Sequence, residues 1–327
     1  MPSSTLIFVS IIVQLSNTWA APATLSSTII TQAGGGLPQG APPTTLSANG
    51  ISNFQLANFI ENIESKFFEG VLANLSSDPA FTSTADNGIS IQQVVTKVAA
   101  QEEVHKATVE ATLTSNNVAT IDDCTSILPI TSTDEFLARA NIITSISIGA
   151  IIAITASVAS TDPTIVGSTT SIITVEGRHD AFFRLSASDV PNPTPFDTAI
   201  STTWAYNLIL SFVVPSSCPT LPLTVLPVLT VTSPALSATA PATPPLTITF
   251  TVDPKVVKGL RLFIGWVNQA NAPVYTTAVV VNGNGRASVP SGLQGTAFAA
   301  LTNQNTATTV DTLTTATLAG PAAVLIS

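Results

Sequence analysis

Hydrophobic residues recur every three or four positions in four separate stretches of the chain, a pattern that predicts amphipathic helices. The stretches run from Asn53 to Asp78, from Ser90 to Asn117, from Ser132 to Pro163 and from Thr164 to Pro191. Ser90 and Ser132 stand where a helix N-cap is expected, and a glutamate follows Ser132 at the spacing of a capping box. We therefore expect four helices that suit a four-helix bundle.

A different pattern follows the fourth helix. One more helix is expected from Thr198 to Val214, packed on the bundle. Residues 215–245 are rich in Pro and Thr, which is typical of an extended linker. Residues 246–327 alternate between apolar and polar side chains and contain strong turn signals. The fold class predicted is α+β and multidomain: a helical domain over residues 51–214, the linker, and a small antiparallel β-sandwich over residues 246–327.

The first 50 residues lack this helical periodicity. Residues 1–20 contain an apolar stretch and end in small side chains, as a signal peptide does, although the usual positive charge at its start is missing. A short buried hydrophobic segment is the alternative. Residues 21–50 are rich in Ala, Ser, Thr, Pro and Gly and are predicted to be a flexible tether. The prediction is a secreted protein, located outside the cell or in the cell wall.

Composition narrows the classes of function. The chain has 327 residues, of which 45% are hydrophobic and only 9% are charged, so it can bury substantial cores. Its formal net charge is −9, and it has no cluster of Lys and Arg. Nucleic acid is therefore not an expected partner. The Ser, His and acidic residues do not form the pattern of a hydrolase. The predicted β-sandwich carries no distinctive ligand motif. Association with a cell wall or cell surface is compatible with an exported protein.

The third predicted helix contains a long uncharged run, Ala140 to Ser160, which could cross a bilayer by length alone. The run includes Asn141 and many Ser and Thr residues, and no cationic loop flanks it. We therefore expect a buried bundle helix and no stable membrane span.

The chain has two cysteines, Cys124 and Cys218, and no C-x-x-C motif. In an exported protein this favours one disulfide between them, with two free buried thiols as the alternative. One N-glycosylation sequon begins at Asn74, near the end of the first predicted helix.

Both histidines of the chain follow a glutamate by three residues, in Glu102-Glu-Val-His105 and Glu176-Gly-Arg-His179. On a helix this spacing places the two side chains on one face, where they can bind the same metal ion. Apolar residues share that face on each helix, so both pairs are expected to point into the bundle. A buried ionised carboxylate is costly unless a metal or a salt-bridge network compensates it.

The first helix offers a third carboxylate. Glu64 lies on the predicted inward stripe, whereas Glu61 lies about 60° further round at the ideal helical period. We therefore predict Glu64 as the ligand from this helix.

These motifs resemble the ferritin-like domain of fungal stress-response and plant desiccation-related proteins. The segments that carry the resemblance are Phe59 to Phe68, Ala100 to His105 and Val175 to His179, with weaker likeness to the fungal members at Asn192 to Asp197, Ser217 to Pro219 and Leu318 to Pro321. The resemblance implies a ferritin-like four-helix bundle and a role in stress. Where that family usually places a glutamate on the third helix, this sequence has Thr144.

The sequence leaves three functions to compare. The first is a secreted, stress-associated protein with a partial metal site, in which Glu64, Glu102, His105, Glu176 and His179 bind one divalent ion, such as iron, manganese or zinc. The second is a structural or surface protein in which the same residues form a metal-free polar network. The third, an active diiron oxidase, requires a fourth carboxylate, which Thr144 does not supply. We therefore do not expect an enzyme.

Overall fold

The computed structural model describes residues 24–85, 88–127, 130–234 and 247–326. A helical part comes first along the chain, and an antiparallel β sheet follows it. The predicted signal peptide, residues 1–20, lies outside the described residues.

Four long helices pack into a bundle, with α2 against α4, α5 against α6, and α2 against α5. Three shorter helices accompany them, and a 3₁₀ turn at Pro163–Ile165 precedes α6. The helices are α1 Ser27–Ala33, α2 Ala48–Asn74, α3 Pro79–Thr82, α4 Ile91–Ser115, α5 Thr133–Val158, α6 Val166–Ser186 and α7 Thr202–Leu210. The four predicted bundle helices and the additional helix are thereby confirmed.

The starts of α4 and α5 are fixed by side-chain caps. Ser90 accepts a hydrogen bond from the backbone N–H of Gln93 at 3.2 Å, and the Gln93 side chain accepts one from the Ser90 N–H at 2.9 Å. The Ser132 hydroxyl accepts from the N–H of Glu135 at 3.2 Å. Such caps satisfy N–H groups that have no partner inside the helix, and they set the helical phase of the residues that follow.

Helix α5 is long and apolar enough to cross a membrane by length and composition. Most of its residues are buried in the protein, among them Ile143, Ile146 and Ile154, which are fully enclosed. A core helix of a bundle has the same composition, because it is surrounded by other helices.

The segment predicted to be a flexible tether contains an ordered helix. Ser26 caps α1, and Gly34, with a φ of 84°, ends it. The carbonyl oxygens at the end of α1 accept hydrogen bonds from α4: Lys97 Nζ donates to Gln32 at 3.4 Å and Gln101 Nε2 to Ala33 at 3.2 Å. A seven-residue helix is marginal alone, so its contact with α4 stabilises it.

Cys124 and Cys218 form a disulfide, as predicted, with their Cα atoms 4.8 Å apart. It joins the loop between α4 and α5 to the segment after α7. Backbone hydrogen bonds hold the same two segments together, from Ile127 N to Phe212 O at 2.9 Å and from Val214 N to Thr125 O at 2.7 Å.

The β part consists of one antiparallel sheet of seven strands in the order β1-β2-β5-β4-β3-β6-β7. Strand β1 contacts β7 at the other edge, so the sheet curls nearly into a barrel. The β-sandwich predicted from the sequence would instead have two facing sheets. The strands are β1 Leu229–Ser233, β2 Thr247–Val252, β3 Leu262–Val267, β4 Val274–Val281, β5 Asn284–Ser288, β6 Thr296–Thr302 and β7 Thr317–Leu325, with short helices α8 Pro254–Val257 and α9 Val310–Thr315. Strand β1 lies inside the segment predicted to be a linker. A strand forms there because the side chain of Leu229 is buried and its backbone pairs with β2.

The sheet packs directly on the bundle. Trp204 Nε1 donates to Thr317 Oγ1 at 3.2 Å, and the hydroxyls of Ser201 and Thr314 are 2.7 Å apart. Phe298 of β6 is fully buried and belongs to the same hydrophobic core as the helices. The helical and β parts therefore share a core, and the surfaces of α5 and α6 next to β6 face the sheet.

Candidate metal centre

Both Glu-x-x-His pairs point to one place inside the bundle. Glu102 and Glu176 are fully buried, and His105 and His179 are 8% and 4% exposed. Each imidazole reaches the glutamate of its own helix and that of the other helix. His105 Nδ1 lies 3.1 Å from an oxygen of Glu102 and 3.1 Å from one of Glu176. His179 Nδ1 lies 3.0 Å from Glu102 and 3.5 Å from Glu176. The predicted convergence of the two pairs is confirmed by these distances.

Helix α2 contributes two buried carboxylates where one was predicted. Glu64 is fully buried and Glu61 is 2% exposed. Glu61 Oε2 lies 3.9 Å from His105 Nδ1, so the residue set aside in the sequence analysis contacts the centre. The angular argument failed because α2 packs against α4, α5 and α7 and is buried on more than one face. The three-residue spacing in Glu61-Asn-Ile-Glu64, the same as in both Glu-x-x-His pairs, is the signal that could have identified it.

Helix α5 presents hydroxyls to this interior. Thr144 and Ser147 are fully buried, and they are three positions apart, on one face of the helix. Ser147 lies close enough to Glu64 to affect the pKa of its carboxyl group. Thr144 is therefore buried on the same helix face as Ser147, and Ser147 is a neighbour of Glu64 that sequence reasoning missed.

Buried polar atoms without a hydrogen-bond partner are concentrated at this centre. Nine side-chain atoms of the described residues there make no hydrogen bond of normal geometry: two each from Glu64 and Glu176, and one each from Glu61, Glu102, Thr144, Ser147 and His179. Those of Glu61, Glu102, Glu176 and His179 make only the ion-pair contacts of 3.0 to 3.9 Å described above. Buried polar atoms in folded proteins nearly always have a partner, because an unsatisfied one costs free energy. A group of such atoms at one place fits a site for a bound cation.

The electrostatics of the centre are strongly coupled. Burial, with added repulsion from Glu102 and Glu176, raises the pKa values of Glu61 and Glu64 well above their usual range. Although burial raises it, contacts with His179 and His105 lower the pKa of Glu176 to about 2.

The imidazoles shift in the opposite direction. Burial lowers the pKa of His179, but Glu176 and Glu102 outweigh that effect and raise it to about 10. In the same way, Glu102 and Glu176 raise the pKa of His105 well above its usual range against the effect of burial. Protonated imidazoles thus neutralise carboxylate charge when no metal is bound.

Two groups of side chains have ligand atoms close enough to hold a metal ion. One group is Glu102, Glu176 and His179, and the other is Glu61, Glu102 and His105; within each, the ligand atoms lie within 4.8 Å of one another. Glu102 belongs to both groups, whereas Glu64 belongs to neither. Imidazole nitrogen and carboxylate oxygen suit iron, manganese and zinc.

Gln101 contacts the centre from outside. Its Oε1 lies 2.8 Å from His179 Nε2, and its Nε2 donates to the carbonyl of Ala33 at the end of α1. An amide oxygen can only accept a hydrogen bond, so Nε2 of His179 carries a proton. Nδ1 of His179 then faces the carboxylates.

The remaining predicted site residue lies elsewhere. Asn74 is the last residue of α2 and is exposed. Its glycosylation stays a prediction.

Residues 50–188 match the model of a ferritin-like domain family. The matched segment includes α4, α5 and α6 completely, almost all of α2, and every Glu and His residue of the centre. The four long helices therefore form a ferritin-like domain, and α1 and α7 lie outside the matched segment. Membership of the stress-response or desiccation-related group stays a prediction. No curated protein matches the sequence.

Proposed function

We propose that this ferritin-like domain binds a divalent metal ion between α2, α4 and α6. The observation that carries the proposal is the set of nine buried polar atoms around two imidazoles that make no hydrogen bond of normal geometry, among them both carboxylate oxygens of Glu64. Leaving carboxylate oxygens buried and unpaired costs several kcal/mol in general, roughly 1 to 3 kcal/mol for each group. A bound cation offsets that cost because it replaces several missing hydrogen bonds at once.

The first ion would be held by Glu102, Glu176 and His179. Their ligand atoms cluster, and the low pKa of Glu176 keeps that carboxylate ionised. A second ion would use Glu61 and His105 and would have to share Glu102. Because burial favours the protonated form of Glu61, that second ion binds more weakly. The proposed site is therefore mononuclear under ordinary conditions, with donors for a second ion.

A bound iron or manganese ion can supply redox chemistry, and zinc can supply Lewis acidity. Two-metal carboxylate bundles that activate oxygen draw carboxylates from all four helices. In this protein α5 offers the hydroxyls of Thr144 and Ser147 instead, and the fourth carboxylate comes from α2. We therefore propose metal binding and not an oxidase.

A metal-free role is the second candidate, and one observation favours it. Four contacts of 3.0 to 3.5 Å already join the two imidazoles to Glu102 and Glu176. Protonated imidazoles in these positions would balance two carboxylates without any metal. The centre would then fix the relative positions of α4 and α6.

We also propose that the protein is located outside the cell. A disulfide that links two surface segments supports an oxidising compartment, and the apolar N-terminal stretch supports export. The stress-associated role depends on the resemblance to fungal and plant proteins, and attachment to a cell wall or surface depends on export alone.

Metal analysis of full-length protein purified without chelators tests the proposal. We expect close to one equivalent of iron, manganese or zinc, and a loss of at least tenfold in affinity for Glu176→Gln. Glu69→Gln is the matched control, because Glu69 lies on the exposed side of α2. Protein that takes up no divalent ion after incubation with each metal would support the metal-free network instead.

A further inference from the structure

A small cavity lies inside the bundle, on the side of the metal centre where Glu61 is located. All four long helices bound it, and the centre of a water-sized molecule can move within about 10 Å³ of it. A space of that order accommodates about one small molecule. Protein interiors are packed tightly and contain few gaps of this size, so a gap beside a proposed metal ligand is informative.

The wall of the cavity is predominantly apolar. Buried hydrophobic side chains from each of the four helices form most of it: Phe54, Val109, Ile151, Ile154 and Ile172. A hydrated polar ligand would lose its contacts with water on entering and would gain few hydrogen bonds in return. The wall therefore favours an uncharged, apolar ligand.

Three hydroxyl groups in the lining do not change this preference, because their hydrogens are already bonded to backbone carbonyls. Thr108 Oγ1 donates to the carbonyl of Val104 at 2.7 Å. Ser168 Oγ and Thr169 Oγ1 donate to the carbonyl of Ile165 at 2.9 and 3.2 Å. A ligand that accepts hydrogen bonds therefore gains no donor from these three side chains.

Glu61 connects the cavity to the metal centre. It lines the cavity, and its Oε2 lies 3.9 Å from His105 Nδ1. Glu61 also belongs, with Glu102 and His105, to the group of donors proposed for the second ion. A molecule in the cavity would therefore lie next to a ligand of that ion.

The lining also extends toward the surface of the bundle. Thr108 on α4 and Ser168 on α6 are partly exposed, whereas Glu61 on α2 is buried. All three residues line the same cavity. A small molecule that enters between α4 and α6 would therefore meet an apolar wall and then the carboxylate-bearing side chain of the centre.

We propose that this cavity binds a small, uncharged, apolar molecule of only a few atoms next to Glu61. The inference rests on the proposed metal site for the role of Glu61, and it adds the chemical class of molecule that can approach that site. Binding in the cavity itself depends on the apolar wall and not on a bound metal.

Xenon is a suitable probe, because it is uncharged, apolar and small. Crystals of chelator-treated, full-length protein under xenon pressure should show a xenon atom in this cavity, and a xenon-129 NMR titration should give saturable binding. Ala57→Leu should weaken xenon binding by about tenfold or more, because Ala57 lines the cavity and the larger side chain would fill it. Ala73→Leu, at an exposed position on the same helix, should leave binding unchanged.

Ile172→Ala is the opposite change and keeps the test decisive if Ala57→Leu does not fold. It enlarges the cavity, so it should raise the affinity for xenon several-fold.

Cobalt(II) connects the cavity to the centre, because its visible spectrum reports on its ligands. With excess cobalt bound, xenon pressure should change the spectrum of the unmodified protein but not that of Ala57→Leu. Cobalt uptake without saturable xenon binding would overturn this inference and leave the metal site intact, whereas xenon binding without cobalt uptake would refute the metal site alone. The inference is also overturned if Ala57→Leu and the unmodified protein bind xenon equally, or if xenon leaves the cobalt spectrum unchanged.

Discussion

Gln101 and His179 are joined by a hydrogen bond of 2.8 Å between the amide Oε1 and the imidazole Nε2. Because the other end of the amide donates to Ala33, the orientation of Gln101 is set by the docking of α1 on α4. Helix α1, which the sequence did not predict, thus supports His179 through one intervening side chain.

Replacing this amide tests the connection. Gln101→Leu should lower metal affinity by about tenfold to a hundredfold, because Nε2 of His179 loses its acceptor and the imidazole is free to rotate. Affinity measured by competition with a chromogenic chelator checks this. Gln92→Leu, on the same helix but away from the imidazole, is the control. Equal affinity in the Gln101→Leu and unmodified proteins would show that packing alone orients His179.

A second prediction concerns Glu61. Glu61→Gln should leave the first ion in place and weaken the second, because Glu61 belongs to the group with His105 and not to the group with His179. Stoichiometry at high and low free metal separates the two effects, with Glu69→Gln as the control on α2. Loss of the first ion in Glu61→Gln would assign this carboxylate to the primary site.

Glu61 also shows where sequence reasoning reached its limit. The two Glu-x-x-His pairs could be placed correctly because hydrophobic neighbours mark a single inward face on α4 and α6. Helix α2 contacts three other helices, so burial extends beyond one stripe and the ideal period no longer separates inside from outside. The same limit applies to α1 and β1, which are short and are stabilised by contacts with α4 and β2 that local sequence does not encode.

The stability of the metal-free protein should depend on pH. The pKa of His179 is about 10 in the folded protein, above the ordinary value of 6.5, so its contribution is fully present below about pH 6.5 and is lost as the pH rises toward 10. Glu176, with a pKa of about 2, contributes stability above about pH 4.5 that is lost in acid. Melting temperatures in the presence of a chelator at pH 6, 8 and 9.5 should therefore decline with rising pH.

His179→Gln provides the control for this decline. It removes one of the two imidazoles with a raised pKa and should make the decline between pH 6.5 and 10 shallower, while His105 still contributes to it. Because metal ions must displace the same proton, metal affinity of the unmodified protein should rise over that pH range. Metal affinity that falls with rising pH would contradict His179 as a ligand.

The disulfide should be a major source of stability. Cys124 and Cys218 are 94 residues apart, and closing a loop of that length stabilises the folded state by about 4 to 5 kcal/mol in the chain-entropy model. Denaturant unfolding of the Cys124→Ala, Cys218→Ala double variant should show a loss of that order. Reduction of the unmodified protein should reproduce the loss and should leave the double variant unchanged. A double variant as stable as the unmodified protein would show that the neighbouring backbone hydrogen bonds suffice to hold the two segments.

Thr144 provides the most direct test of what the centre lacks. Thr144→Glu would place a carboxylate on α5, opposite the carboxylates of α2, α4 and α6. In the metal-free protein it should lower the free energy of unfolding by about 3 to 5 kcal/mol, because one more acid is buried beside carboxylates that already repel one another. Ala156→Glu, at an exposed position on the same helix, should have little effect.

With metal present the sign of the effect reverses. The added carboxylate should increase affinity for a second divalent ion, because it supplies a ligand that is not shared with the first. Metal analysis should then give close to two equivalents for Thr144→Glu and close to one for the unmodified protein, and the melting temperature of the variant should rise more steeply with added metal. Two tightly bound ions in the unmodified protein would show that Glu61 already completes a two-metal site. If added metal changes the melting temperature of neither Thr144→Glu nor the unmodified protein, the imidazoles and carboxylates of the centre pair only with one another.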